Sequence, residues 1–257
     1  QTSAIIHVVR CFDDNKINHV NGKVDPLKDI EIIETELLLS DIDTLVRRKE
    51  KLQKQFKSGD QKEKASLELL EELIHHCSNG ERAKTYKIEK DLLWFKKSLH
   101  LLTDKPILYV GNIGETELQD ENISKHTKDL TEYVKKQNNS IIFLCASLEQ
   151  EISLLNENEQ KMFLSEYNLK EPGLNKVIRS SFNLLGLHTF FTCGEKEVKS
   201  WTIQKGINAP QAAGQIHSDF QRGFIKAEVF NFKEILKHRT ENKLKELGLI
   251  KQEGKNY

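Results

Sequence analysis

Apolar positions in the first third of the chain follow two different periods. Ala4-Ile5-Ile6-His7-Val8-Val9 is a short, mostly apolar run rich in β-branched side chains, which predicts a buried strand. A polar, turn-rich stretch over residues 12–23 follows and closes at Asp25-Pro26, with Asp29 expected to cap the next helix. Over residues 30–56 the period lengthens. Leu38, Ile42, Leu45, Leu52 and Phe56 recur at spacings of four, three, seven and four, the seam of a long helix that packs on a neighbour. Lys57-Ser58-Gly59-Asp60 interrupts it, and Ala65, Leu69 or Leu70, Leu73 and Cys77 mark a second seamed helix. Two such helices around a short turn predict an antiparallel hairpin.

The middle of the chain alternates. A third helix is expected over residues 87–102, then a buried strand at Lys105-Pro106-Ile107-Leu108-Tyr109-Val110 running into Gly111-Asn112-Ile113-Gly114-Glu115. A helix over 123–137, a strand over 140–145 and helices over 148–169 and 173–187 complete the pattern. Strand–helix alternation predicts a parallel sheet with covering helices, so the hairpin is an insertion between two strands of an α/β domain. From Thr189 the texture changes. Phe190-Phe191-Thr192-Cys193-Gly194 and Val198-Lys199-Ser200-Trp201-Thr202-Ile203 read as strands, and glycines with Pro210 then separate short segments, as in a small α+β module.

Composition narrows the function classes. Of the 257 residues 37% are hydrophobic and 30% charged, a core-forming mixture, and no apolar run approaches the length of about 20 residues that spans a bilayer. Lys+Arg equal Asp+Glu at 39 each, which excludes a globally basic nucleic-acid binder but not a local basic patch. One such patch lies over residues 47–64, where eight cations (Arg47, Arg48, Lys49, Lys51, Lys54, Lys57, Lys62, Lys64) face three anions (Glu50, Asp60, Glu63). It is either a solvated coiled-coil surface or a tip that contacts phosphate. Cys11, Cys77, Cys145 and Cys193 form no CxxC pair or zinc spacing, as in a reduced, cytoplasmic chain. Met162 is the sole methionine and the chain opens Gln-Thr-Ser directly into a strand pattern, which reads as a fragment of a longer protein.

Candidate chemistry gathers at strand ends, where open α/β sheets bind ligands. In Gly111–Glu115, Asn112 can bridge loops through its amide, Glu115 supplies a carboxylate acceptor, and the backbone N–H and C=O of Ile113 could pair with the donor–acceptor edge of adenine. A guanine-reading loop uses Asn-Lys-x-Asp, and here Ile113 replaces the Lys and Glu115 the Asp, so the loop should not favour guanine. His19, in the polar loop after the first strand, is either a solvated loop residue or a group that orients water for phosphoanhydride hydrolysis. His217 reads as structural or as a partner contact. Adjacent His75 and His76 make a poor metal pair on a helix. Phe190, Phe191, Trp201, Phe220 and Phe224 fit a small-domain core better than a base-stacking platform.

Three segments carry a resemblance. His7-Val8-Val9-Arg10-Cys11-Phe12-Asp13-Asp14 with His19-Val20-x-Gly22-Lys23-Val24-Asp25-Pro26-x-x-Asp29-Ile30-Glu31 is the first, and Glu171-Pro172-Gly173-Leu174-Asn175-x-Val177-Ile178-Arg179 the second. The third is Ala209-Pro210-Gln211-Ala212-Ala213-Gly214-x-Ile216-His217-x-Asp219-Phe220-x-x-Gly223-Phe224-Ile225. Together they closely resemble the YchF/Obg-like ATPase family of translation-associated P-loop proteins. The resemblance implies a partial Ras-like nucleotide-binding domain over residues 1–30 and 103–188, a helical coiled-coil insertion over 31–102, and an incomplete TGS domain, a β-grasp α+β module, over 189–257. It also implies a cytoplasmic protein that binds and hydrolyses ATP in preference to GTP, uses Mg2+ and associates with ribosomes or rRNA, with no membrane or DNA partner. By position, Asn112, Ile113 and Glu115 match the family's altered base-recognition loop, Cys145, Ala146 and Ser147 its second base loop, and His19 the histidine that replaces a catalytic glutamine. Arg47, Arg48, Lys49, Lys51, Lys54 and Lys57 fit an RNA-facing role. Neither a GxxxxGK[ST] phosphate loop nor the family's Asp-x-x-Gly segment occurs in these residues, so metal ligands and phosphate grip are expected upstream and the chain alone is expected to be inactive. The competing expectation is a non-catalytic ribosome- or RNA-binding adaptor that uses the hairpin and the TGS module.

Overall fold

A central strand buried on both faces organises the first part of the molecule. The computed structural model describes residues 2–14, 17, 22–55, 61–119, 124–194 and 197–257, and the chain divides into two units, Gln1–Leu184 and Leu185–Tyr257. In the first unit β1 (Ile5–Arg10), β2 (Ile107–Asn112) and β3 (Ser140–Leu144) form a parallel sheet in the order β1-β2-β3. Ile107, Leu108, Tyr109 and Val110 of β2 are all buried, as expected for a strand covered by helices on both sides. Gly111 pairs with Phe143, and a Cβ at Gly111 would collide with the Phe143 ring.

α1 (Pro26–Gln55) and α2 (Gln61–Ser78) form the hairpin. The expected cap is displaced: Asp25, not Asp29, accepts from the Lys28 N–H at 3.2 Å, and Pro26 opens the helix where its missing N–H costs nothing. Leu45, Leu69, Leu70, Leu73 and Cys77 are buried along the predicted seam, with Leu38, Ile42 and Leu52 packed against them. Each fully buried leucine stabilises by about 1.5–3 kcal/mol. Phe56 and Lys57 lie outside the described residues. The third helix is shorter than expected, with turns at Ala83–Thr85 and Lys90–Leu92 preceding α3 (Leu93–Ser98). Side chains from elsewhere satisfy this backbone: Ala83 N–H donates to Thr103 Oγ1 at 3.0 Å, and the buried Lys96 Nζ donates to the Ala83 carbonyl at 2.7 Å. Lys96 also pairs with Asp104 at 2.8 Å.

Two carboxylates on α1 tie the hairpin to the sheet. Buried Asp41 accepts from Leu102 N–H at 2.6 Å and from Thr103 N–H and Oγ1 at 2.7 Å each, at the turn that leads into β2. Glu34 accepts from the Tyr109 phenol at 2.8 Å and the Tyr133 phenol at 3.3 Å. Val9, Ile107 and Tyr109 share a core with Ile30 of α1.

After β2 come α4 (Glu115–Gln119), which the pattern did not announce, and α5 (Lys125–Lys136), capped by Ser124. Leu130 and Val134 of α5 join the core beneath β1 and β2. The helix expected over 148–169 is two helices, α6 (Ala146–Leu154) and α7 (Glu157–Glu166). Asn156 starts the second through a reciprocal cap with Glu159, while Gln160 Nε2 donates to the Ile152 and Leu155 carbonyls and closes the first. α8 (Gly173–Leu184) covers the opposite face of β2 and β3 and ends before Gly186, whose φ of +64° suits a helix stop.

In the second unit β4 (Leu187–Cys193) and β5 (Val198–Gln204) pair antiparallel, Phe190 facing Trp201. α9 (Ala209–Ile216) opens on an Asn208–Gln211 cap with Pro210 in its first turn, and His217 Nδ1 caps α10 (Ser218–Arg222) by accepting from Asp219 N–H at 3.2 Å. β6 (Ala227–Val229), α11 (Phe232–His238), α12 (Glu241–Glu246) and β7 (Lys251–Glu253) follow, β6 pairing antiparallel with β7. This is a small α+β unit. Its aromatics are less buried than the pattern implied: Phe191 and Phe220 are exposed, Phe191 stacking on Phe232 at 5.0 Å. The short elements leave too little interior to enclose them. No helix among the described residues is long and apolar enough to cross a membrane.

Candidate functional site

The carboxyl ends of the three strands are knitted together by their own polar groups. Cys11 N–H donates to the Asn112 carbonyl at 2.8 Å and Ile113 N–H to the Leu144 carbonyl at 2.9 Å. Asn112 Oδ1 accepts from Ala146 N–H at 3.0 Å, so its amide bridges the loops after β2 and β3 as its residue type allowed. Asn112 Nδ2 has no partner among the described residues and is available to an acceptor on a ligand. The reading of Ile113 is corrected. Its N–H is already spent on Leu144 and its side chain is buried, so it cannot donate to a base through that group.

Glu115 begins α4 and is exposed at the mouth of this edge. Its Oε1 accepts from the Tyr167 phenol at 2.6 Å, and that bond holds the Tyr167 pKa up at about 12. Tyr167 stacks on Phe163 at 4.9 Å. Cys145, expected in a loop, is the buried N-cap residue of α6, its Sγ 3.1 Å from Ser147 Oγ. Ala146 and Ser147 form the exposed first turn of that helix.

Glu149 fixes the other wall. Its two oxygens accept from Gly173 N–H at 2.6 Å and Leu174 N–H at 3.0 Å, so a carboxylate of α6 caps the N-terminus of α8. A Cβ at Gly173 would sit 2.8 Å from Glu149 Oε1 and 2.9 Å from Leu144 Cβ, so only glycine fits under this clamp. Glu171 pairs with Arg179 beside it. This gives the Glu171–Arg179 segment a local task, the seating of α8 against α6 and β3.

The structure therefore brings Asn112, Glu115, Cys145, Ala146 and Ser147 to one edge. His19 lies outside the described residues. Arg10 ties the segment before it, donating through Nε to the Phe12 carbonyl at 3.1 Å and through its guanidinium to the Ile17 carbonyl at 3.2 Å. Tyr167 and Glu149 were not among the expected residues. Tyr167 lies 52 positions from Glu115 and Glu149 24 from Gly173, and no local pattern joins them. Among the described residues no three His, Cys, Asp or Glu side chains gather as a metal-ligand set.

The cations of the hairpin separate into two groups. Arg48 lies over the Phe95 ring at 5.7 Å and Lys49 pairs with Glu71 at 2.8 Å. Both are part-buried, Arg48 against α3 and Lys49 within the hairpin, which removes them from the exposed set. Arg47, Lys51 and Lys54 are exposed and, at spacings of four and three, share the helix face opposite Leu45.

Residues 187–257 match a family model named YchF-GTPase_C and described as a protein of unknown function (DUF933). The chain is 42% identical over 257 residues to a protein of Bacillus subtilis named ribosome-binding ATPase YchF, covering all of this chain and 70% of that protein. The protein of the same name from Escherichia coli O157:H7 is 40% identical with the same coverage. A solved structure of the Schizosaccharomyces pombe YchF GTPase superposes with a TM-score of 0.81 at 31% identity, over 99% of this chain and 69% of that one.

Proposed function

This chain belongs to the YchF family, and from that membership we propose that it works as the base-reading and ribosome-facing part of an ATP-binding, ATP-hydrolysing P-loop protein of the cytoplasm. The observation that carries the reading is the junction of Asn112 and Ala146 beside Glu115 at the carboxyl ends of the parallel strands. It supports the reading because an amide N–H donor without a partner among the described residues and a carboxylate acceptor lie at strand ends of the kind where open α/β sheets take ligands. Asn112 Nδ2 and a Glu115 oxygen would hold the adenine end, with Cys145, Ala146 and Ser147 as the floor supplied by α6. Ile113 contributes packing, and its N–H, bonded to the Leu144 carbonyl, does not serve the base.

The wider assignment follows the family. Residues 1–30 and 103–188 form the nucleotide-binding part, 31–102 the helical insertion and 189–257 a TGS module. His19 orients the attacking water, and ribosomal RNA is the partner of the exposed hairpin cations. Family membership also implies Mg2+, which finds no donor set among the described residues.

Nucleotide binding by the full-length protein tests the reading. Asn112→Ala removes both the loop bridge and the donor to the base, and should weaken ATP binding by about tenfold, the order expected for one or two hydrogen bonds in a site. Unchanged ATP affinity in this variant would move the base to another place.

A further inference from the structure

Glu115 comes to the site with one of its oxygens already engaged. The Tyr167 phenol donates to Oε1 at 2.6 Å. Tyr167 is itself held: it ends α7, its N–H donates to the Phe163 carbonyl at 3.3 Å, and its ring stacks on Phe163. α7 is pinned to α6 by Gln160, and α6 meets Asn112 through Ala146 N–H. The Asn112–Glu115 loop is thus fastened at both ends by groups from the same helix pair.

The donor patterns of the bases make this fastening consequential. Guanine offers two parallel donors, N1–H and the N2 amine, which suit the two oxygens of one short carboxylate. Adenine offers only its N6 amine on that edge. A carboxylate turned toward a phenol through one oxygen presents the other alone.

We propose that Tyr167 is a positioning residue for nucleotide choice: it holds Glu115 through Oε1 and leaves Oε2 as a single acceptor, matched to adenine and mismatched to guanine. This rests on the reading of Glu115 as the base-facing carboxylate. With its pKa held up at about 12 by the bond to Glu115, the phenol remains a protonated donor throughout the physiological range. Its effect is on selection, not on chemistry at the phosphates, so hydrolysis of bound ATP proceeds without it.

Competition of ATP and GTP against a fluorescent ADP, measured on the full-length protein and its Tyr167→Phe variant, tests the proposal. The variant loses one oxygen atom and keeps the ring that stacks on Phe163. The expected result is an ATP-over-GTP preference narrowed by about tenfold, mostly through tighter GTP binding, with kcat for ATP within about twofold of wild type. In a Glu115→Asp background the carboxylate falls short of the phenol, and adding Tyr167→Phe should then change the preference no further. A preference unchanged within about twofold in Tyr167→Phe overturns the proposal, as does an additive effect in the double variant. A wild-type protein that binds ATP with no preference over GTP, or binds neither, overturns the base-site reading itself, and this inference falls with it.

Discussion

Thr103 donates twice to one oxygen of Asp41: its N–H and its Oγ1–H both reach Oδ2 at 2.7 Å, across 62 positions of sequence. Leu102 N–H takes the other oxygen at 2.6 Å. A buried carboxylate in mid-helix thereby does for a turn what a further strand or cap would do, and the hairpin is joined to the segment that becomes β2. Removing it leaves three donors without an acceptor. Asp41→Ala should lower the stability of the chain by about 2–4 kcal/mol, and Asp41→Asn, which keeps one acceptor oxygen, by less. Urea unfolding followed by circular dichroism measures both, and equal midpoints for Asp41→Ala and wild type would show that the three bonds contribute nothing net.

His19→Ala, in the full-length protein, should slow ATP hydrolysis by about ten- to a thousandfold and leave ATP affinity nearly unchanged. A group that orients water acts in the transition state and adds little to ground-state binding. Steady-state hydrolysis alongside equilibrium binding separates the two quantities. An unaltered kcat would return His19 to the class of ordinary loop histidines.

The cationic stripe gives a salt-dependent prediction. Replacing Arg47, Lys51 and Lys54 by Gln should weaken ribosome binding and flatten its salt dependence, by about 0.7–0.9 in log–log slope for each phosphate no longer neutralised. Lys49→Gln serves as the comparison, because its partner is Glu71 within the hairpin. That single change should leave the slope alone. Co-sedimentation with ribosomes at several salt concentrations reads the slope, and a triple variant that sediments like wild type would take this face out of the partner surface.

Stability should fall toward both ends of the pH scale. Burial lowers the His7 pKa below its ordinary 6.5, so below that pH the unfolded chain binds a proton that the folded one resists. The stabilisation from neutral His7 is present above 6.5 and is lost as pH falls through the lowered value. On the alkaline side burial, and then the charge of Glu34, push Tyr133 from 10 to about 12. Its contribution is intact below pH 10 and is lost as pH rises toward 12. Urea midpoints across pH 5–11 should show both limbs. His7→Gln should flatten the acid limb relative to wild type and Tyr133→Phe the alkaline one, and a variant curve parallel to the wild-type curve would remove that residue as a cause.

Much of the fold was legible because it is local. The spacing of Leu38, Ile42, Leu45 and Leu52 carries the hairpin seam, and the β-branched runs carry the strands. Two errors were also local and had readable signals. Asp25-Pro26 is a cap followed by proline, and Asn156-Glu157-Asn158-Glu159 is a capping box that splits one apparent helix into two. The short α3 had no such signal, since distant Thr103 and the buried Lys96 complete the backbone before it. The site divides in the same way. The loop bridge of Asn112 was readable from its amide, but the loss of the Ile113 N–H to Leu144 follows from strand register, and the hold of Tyr167 on Glu115 follows from how α7 folds back.

α1 buries Ile30 in the sheet core and Leu45 in the hairpin core, and no glycine or proline occurs between Leu27 and Gln55. Such a helix is a stiff lever about 45 Å long, without a joint at which it would bend. A tilt of about 5° at Asp41 carries Gln55, about 21 Å further along, through about 2 Å. A tilt imposed on the sheet end of α1 therefore arrives at Arg47, Lys51 and Lys54 as displacements of about 1–2 Å that grow along the helix, instead of being absorbed on the way.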